Sequence, residues 1–149
     1  MLEYGDYECP YSRRAFRAIE RLERARPGGL RFAFRHFPLT AIHPHALAAA
    51  EAAEAAALQG RFWEMHELLF HRQLALEDDA LHGYAVELGL DPDRFERDRR
   101  DDVIRLRISR DVASGEASGD VHGTPTLFID GVVHRGNYDV ETLQEALGR

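Results

Sequence analysis

Two short segments in which hydrophobic and polar positions alternate lie on either side of the first helical pattern in the chain. Residues 2–7 and residues 30–37 both alternate and contain several aromatic side chains, so each is predicted to form a strand. Between them, Phe16, Ile19 and Leu22 recur at helical spacing until a Pro-Gly-Gly run ends the pattern. A helix of this length can connect two parallel strands, so the pattern predicts a β-α-β unit.

The middle of the chain, from about residue 44 to residue 118, shows helical patterns and no strand pattern. Hydrophobic spacing, capping residues and glycines that end helices predict five helical segments there. In chain order they are residues 44–58 closed by Gly60, an amphipathic set at Phe62, Met65, Leu68 and Leu69, a segment capped by Asp78 or Asp79 and closed by Gly89, a helix opened by Asp91 and Pro92, and residues 103–112.

The end of the chain returns to strand patterns and then to a helix. Residues 126–129 and 132–134 flank an Asp-Gly pair, which favours a two-residue hairpin turn. Asp139 is then predicted to cap a final amphipathic helix. A β-α-β half and a β-β-α half therefore bracket the helical segment. The predicted fold class is α/β, with an all-helical insertion at residues 41–118.

Composition and charge limit the partners of this protein. The chain has 149 residues, of which 44% are hydrophobic and 30% charged, and this fits one globular domain that carries an insertion. The net charge of −7 argues against nucleic acid and anionic membranes, because phosphate groups bind to basic surfaces. No membrane span or signal peptide is recognisable, so the sequence predicts a cytoplasmic protein without membrane contact.

Cys9 is the only cysteine, so any disulfide that it forms must involve a sulfur atom outside this chain. It stands between the first predicted strand and Pro10, and proline favours the first position of a helix. The free N–H groups and the dipole at a helix start stabilise a thiolate, the form that attacks sulfur, and Arg13 would add to this effect. The carboxylates of Asp6 and Glu8 act in the opposite direction. The alternative is an unreactive cysteine that only fills the core.

A Gly-Thr-Pro-Thr run at residues 123–126 stands directly before the third predicted strand. A Thr-Pro bond at such a place is usually trans and part of a turn, since only about 5–6% of X-Pro bonds are cis. In the predicted layout, however, this run lies opposite the turn that carries Cys9. The two turns are therefore predicted to belong to the same site.

Five segments of the chain together resemble one known family. The run EYGDYECPYS at residues 3–12 is similar to the active-site segment of DsbA-type thioredoxin-fold proteins, which normally reads Cys-Pro-X-Cys. The resemblance covers nearly the whole chain and is strongest to thioredoxin-like domains found alone, or fused to sodium/proton antiporters, in high-GC bacteria. It implies a thioredoxin fold at residues 1–40 and 119–149 and an inserted helical domain at 41–118. The other four segments are RHFP (35–38), QGRFWEMH (59–66), ELGLD (87–91) and GTPTLF (123–128).

The resemblance also implies roles for individual residues. Cys9 would be the attacking cysteine, and Pro125 would be a cis-proline beside its sulfur. The Thr124 backbone would pair with an extended substrate. Pro10 and Tyr11, which follow Cys9 in the motif, would contact the substrate as well.

Two positions leave alternatives open. Glu3 falls where the family often keeps a buried acid under the active site, although an ordinary edge-strand carboxylate at the start of a short chain would give the same pattern. Ser12 occupies the position of the second, resolving cysteine, and a hydroxyl group cannot form a disulfide. A natural monothiol enzyme, an engineered trapping variant and a chain that has become a binding module all fit this serine. The first of these is our working hypothesis.

Eight histidines make a metal site another candidate. His43 and His45 form the densest pair, His36 lies upstream, and His66 and His71 are five residues apart. None of them shows a recognised zinc spacing, and the only cysteine is far away in sequence. We therefore predict structural or solvent-exposed roles for the histidines and no metal site.

The sequence thus predicts thiol–disulfide exchange with Cys9 as the single nucleophile and Ser12 as a hydrogen-bond donor to its thiolate. Its partners would be protein or small-molecule disulfides. A low-molecular-weight thiol such as glutathione would be the co-substrate, with no other cofactor. One alternative is a glutathione-dependent transferase or isomerase of the kappa type, which shares this architecture and uses a serine-type site. The other is a non-catalytic binding or regulatory module.

Overall fold

Four strands form one mixed sheet in the order β2-β1-β3-β4 in the computed structural model, which describes residues 1–148. β1 pairs with β2 in parallel and with β3 antiparallel, and β3 continues into β4 through a hairpin. Asp130 and Gly131 both have positive φ in that hairpin, as a two-residue turn of this kind requires. The predicted β-α-β and β-β-α halves are therefore confirmed. The strands are β1 (Leu2–Gly5), β2 (Ala33–His36), β3 (Thr126–Ile129) and β4 (Val132–Val133).

Seven helices complete the described part of the chain, and all the predicted helical segments are among them. The Asp91 and Asp139 side chains cap α5 and α7 by accepting hydrogen bonds from backbone N–H groups, as predicted. The predicted cap of α4 is wrong, because Glu77 stands at that position and makes no side-chain cap. The helices are α1 (Pro10–Ala25), α2 (Ala46–Ala57), α3 (Phe62–His71), α4 (Asp78–Glu87), α5 (Pro92–Asp98), α6 (Asp102–Ser118) and α7 (Val140–Leu147).

The first two strands are shorter than predicted, and each difference has a physical cause. β1 ends at Gly5 because Asp6 leaves the sheet and its carboxylate binds N–H groups of the adjoining loops. β2 begins at Ala33 although the alternation starts earlier. Leu30 and Phe32 pack against the apolar cluster between α1, β3 and α7, so burial alone produces the alternation there.

The core consists of three apolar clusters around the sheet. The largest contains side chains from all five helices between α2 and α6, together with Tyr7, Phe16 and Phe34. The helical segment therefore shares its core with the sheet half of the molecule. The division at residues 41–118 stays a prediction, and residue 149 of the last predicted range lies outside the described residues. No helix within residues 1–148 is long and apolar enough to cross a membrane.

Candidate active site

Cys9 is the N-cap residue of α1 and lies where the chain leaves the centre of the sheet. Its backbone is extended, Pro10 takes the first helical position, and the Cys9 carbonyl accepts the N–H of Arg13 at 3.1 Å. Because proline has no N–H, the free donors of the first turn are the amides of Tyr11 and Ser12. The positive end of a 16-residue helix therefore points towards the sulfur.

The Cys9 thiol contacts the loop before β3. Its Sγ donates a hydrogen bond to the Thr124 carbonyl oxygen at 3.4 Å, although the two residues are 115 positions apart. The Thr124-Pro125 peptide bond is cis. Cys9 is only 3% exposed, whereas Tyr11 is 62% exposed and Pro10 is exposed as well. The sulfur thus lies at the bottom of a surface formed by the start of α1 and the cis-proline loop.

Ser12 is fully buried one turn into α1. Its hydroxyl oxygen accepts the backbone N–H of Asp6 at 3.2 Å, which ties the helix to the end of β1. The structure contains no hydrogen bond between the Ser12 hydroxyl and the Cys9 sulfur among the described residues. The role of Ser12 as a donor to the thiolate therefore stays a prediction.

Glu3 lies in the interior of the sheet, because β1 is flanked by β2 on one side and β3 on the other. The alternative of an edge-strand carboxylate is therefore wrong. Glu3 is 1% exposed, and within residues 1–148 neither carboxylate oxygen has a hydrogen-bond partner. Burial raises the pKa of this carboxyl group to about 8, so it can gain or lose a proton near neutral pH.

Two carboxylates next to Cys9 are held by histidines of the loop between β2 and α2. Asp6 accepts hydrogen bonds from His43 Nδ1 and from two backbone N–H groups, each at 2.8 Å. Glu8 accepts the backbone N–H of His45 at 2.6 Å and its Nδ1 at 3.0 Å. The densest histidine pair of the sequence therefore fixes the active-site segment. Residues 1–148 contain no cluster of three or more side chains that could hold a metal ion.

The whole described chain matches one protein-family model, the DSBA-like thioredoxin domain, over residues 1–148. The chain belongs to the DSBA-like thioredoxin family. A solved thioredoxin-like oxidoreductase from Silicibacter pomeroyi has the same fold, with a TM-score of 0.86 and 29% sequence identity over 99% of this chain and 83% of that one. The predicted fold class and the predicted family are both confirmed.

The curated relatives are much longer proteins. A sodium/proton antiporter NhaA of Salinispora arenicola is 46% identical over 147 residues, which are 99% of this chain and 22% of the antiporter. One from Mycolicibacterium vanbaalenii is 43% identical over 149 residues, which are 99% of this chain and 24% of that protein. This chain therefore spans about a quarter or less of the curated relatives that it matches.

Two residues of this DSBA-like domain that the sequence pattern missed also touch the site. Gln73 follows α3 in the chain and is buried. Its Nε2 donates to the carbonyl oxygens of Tyr7 at 2.8 Å and Cys9 at 2.9 Å. Tyr138 donates to the Pro125 carbonyl at 3.1 Å. Burial, followed by the negative charges of Cys9 and Glu3, raises the pKa of Tyr138.

A buried pair behind the active-site segment was also not predicted. The Tyr7 hydroxyl and His66 Nδ1 are hydrogen-bonded at 2.9 Å, and aromatic rings surround the imidazole. Burial, and then the charge of His36, lowers the pKa of His66 to about 3, so this imidazole is neutral at physiological pH. The sequence around Tyr7 does not indicate that His66, 59 residues further along the chain, is its partner.

Gln73→Leu should lower the free energy of unfolding by about 1–3 kcal/mol, the usual cost of a buried polar group left without a partner. The variant leaves the Tyr7 carbonyl oxygen without a donor, whereas the Cys9 carbonyl oxygen keeps the N–H of Arg13. Urea unfolding measures the effect. Gln144→Leu on α7 is the matched control, because this half-buried glutamine makes no side-chain hydrogen bond within residues 1–148. Equal stability of the two variants would show that Gln73 does not hold the Cys9 segment.

Proposed function

We propose that this domain carries out thiol–disulfide exchange with Cys9 as its only nucleophile. The observation that carries this proposal is the contact of the Cys9 sulfur, at the start of α1, with the Thr124 carbonyl of the cis-proline loop. Membership of the DSBA-like thioredoxin family and the likeness to a thioredoxin-like oxidoreductase support it. The helix start stabilises the thiolate that the reaction needs.

The proposed reaction has two exchange steps. The Cys9 thiolate attacks one sulfur of a disulfide, a bond between the two sulfurs forms, and the other substrate sulfur leaves as a thiolate that takes a proton from water. Because Ser12 cannot attack the resulting mixed disulfide, an external thiol must do so and regenerate Cys9. Glu3, a buried carboxyl group of β1 whose pKa is raised to about 8, would be the group that exchanges a proton near neutral pH.

The substrate would lie across the start of α1 and the cis-proline loop. Pro10 and Tyr11 are exposed beside the sulfur and offer apolar contact. The Thr124 carbonyl accepts the Cys9 S–H in the free protein. Once the sulfur is bonded to substrate, it can no longer donate, and this carbonyl becomes free to accept an N–H group of an extended substrate. Pro125 has no N–H of its own to compete.

A disulfide reagent should leave a stable adduct of one reagent thiol per chain, which mass spectrometry detects as a mass increase. Added glutathione should remove the adduct at a rate proportional to its concentration, since no internal thiol is present. Cys9→Ser is the control and should gain no mass. A native chain that also gains no mass would contradict the proposal, because Cys9 would then not be a nucleophile.

A regulatory module for a transporter is the second candidate, favoured by the antiporter relatives whose length this chain covers only in part. Failure of the native chain to form any adduct in the experiment above would favour it. The kappa-type transferase has less support, because the matching family is the DSBA-like one and a cysteine stands at the catalytic position. Conjugation of glutathione to an electrophile would be the activity that distinguishes the kappa type.

A further inference from the structure

Three arginines occupy the first two turns of α1, next to Cys9. They are Arg13, Arg14 and Arg17, and the first turn of this helix carries no acidic residue. The rise of about 1.5 Å per residue places Arg13 and Arg14 about 6–8 Å, and Arg17 about 12 Å, along the helix from Cys9. The chain as a whole has a net charge of −7, so this positive group stands out against the overall charge.

None of these arginines forms an ion pair within residues 1–148, in contrast to Arg24 at the other end of the helix, which binds Glu20 at 2.8 Å. Arg14 and Arg17 are exposed. The Nε of Arg13 is shielded from solvent and has no hydrogen-bond partner among the described residues. Three positive charges without an ion pair in the described residues thus lie along the helix that begins at the reactive sulfur.

The acidic groups nearby form no ion pair with these arginines within residues 1–148. Asp6 is buried and is hydrogen-bonded to His43, and Glu8 is partly buried and is hydrogen-bonded to His45. Hydrogen bonds from Thr142 at the start of α7 lower the pKa of Asp139, and the charge of Arg14 lowers it further. None of the three arginines has a carboxylate oxygen within 4 Å of its guanidinium group in the described part of the chain.

We propose that this arginine group selects disulfides that carry negative charge, such as low-molecular-weight disulfides with free carboxylates. The inference rests on the proposed function, since it names the substrate class of the same site. The Cys9 thiolate attacks one sulfur of the anionic disulfide, the sulfur–sulfur bond of the reagent breaks, and the departing thiolate takes a proton from water. Unpaired arginines bind carboxylates through two parallel hydrogen bonds, which holds such a reagent beside the sulfur.

The test compares the rates of Cys9 adduct formation with three reagents of different charge. Glutathione disulfide is anionic, bis(2-hydroxyethyl) disulfide is neutral and cystamine is cationic. In the Arg14→Gln/Arg17→Gln double variant, the ratio of the anionic to the neutral rate constant should fall about fivefold, because charges about 8 Å and about 12 Å from Cys9 contribute about 2.5-fold and about twofold in water. Because the same ratio is measured in the native chain and in the double variant, the different intrinsic reactivities of the two reagents cancel.

Two controls separate charge from other effects. Arg24→Gln removes the same charge about 20 Å from Cys9 along the helix and should leave the ratio unchanged. Raising the salt concentration from about 10 mM to about 500 mM should lower the ratio in the native chain and bring cystamine closer to the neutral reagent. The cationic reagent should show the opposite dependence on both the variant and salt.

The outcomes distinguish the two proposals. If the neutral reagent modifies Cys9 but neither the double variant nor salt changes the ratio, selection by charge is refuted and thiol–disulfide exchange stands. If Arg24→Gln lowers the ratio as much as the double variant does, net charge rather than the arginine group sets the rate, and the inference fails. If no reagent modifies Cys9, both proposals fail together.

Discussion

Ser12→Cys should convert the single-thiol exchanger into a domain that releases its own substrate. The new thiol would stand one turn from Cys9, at the position where Cys-Pro-X-Cys proteins carry their second cysteine. An attacking group held in place reacts as if present at a very high concentration, so release of the mixed disulfide should be at least ~100-fold faster than with about 1 mM external thiol. Mass spectrometry after a disulfide pulse should show a loss of two hydrogen atoms instead of an adduct, since the reagent disulfide accepts the two electrons and leaves as two thiols.

Ser12→Ala is the matched control for this conversion. It removes the hydroxyl that accepts the Asp6 N–H without adding a nucleophile, so it should keep a stable adduct like the native chain. Because Ser12 is buried, the larger sulfur of Ser12→Cys has to fit there, so the folding of this variant is measured as well. If Ser12→Cys folds but retains the adduct for as long as Ser12→Ala does, the two positions are not placed for exchange. Ser12 would then not be the reason why the native chain keeps its mixed disulfide.

Local patterns were enough to predict the framework of this fold. The alternation at the start of the chain, Pro10 after Cys9 and the helical spacing that follows specify strand, turn and helix within a few residues of each other. The Asp130-Gly131 pair specifies the hairpin in the same way, because few residues other than Asn, Asp and Gly adopt positive φ. These features depend on neighbours along the chain, which a sequence displays directly.

The polar contacts of the site could not be predicted in this way. Gln73 reaches the Tyr7 and Cys9 carbonyls from more than 60 residues away, and His43 reaches Asp6 from a loop without any regular pattern. Such contacts depend on how the helical segment packs on the sheet. A glutamine after an amphipathic helix looks like any surface residue until that packing is known. The only signal was indirect: the densest histidine pair follows the second strand, and that strand lies beside the first.

Replacing Glu3 by glutamine should stabilise the protein increasingly as the pH rises. The folded-state pKa of about 8 lies above the ordinary value of 4.5, so the folded state keeps a proton that the unfolded chain releases. The stability associated with this proton is fully present below pH 4.5 and is lost as the pH rises to about 8. At 1.36 kcal/mol for each pH unit the total loss is on the order of 5 kcal/mol.

His66 opposes Glu3 over part of this range, so the stability of the native chain alone does not follow Glu3 at every pH. Its pKa is about 3 in the folded protein and 6.5 ordinarily, so its contribution to stability grows as the pH rises from 3 to 6.5. Between pH 4.5 and 6.5 the two groups largely cancel. From pH 6.5 to 8 only Glu3 still acts, and the native chain should lose about 2 kcal/mol relative to Glu3→Gln.

Urea unfolding of both proteins at pH 6.5 and pH 8 measures this difference, and the contribution of His66 cancels because both chains contain it. Glu116→Gln on the exposed side of α6 is the matched control, since it makes the same chemical change at a solvent-exposed position and should show no such trend. A gap between Glu3→Gln and the native chain that stays constant from pH 6.5 to 8 would mean that Glu3 does not hold a proton near neutral pH. Glu3 would then lose its place in the exchange reaction, because only a carboxyl group that titrates in this range can carry a proton there.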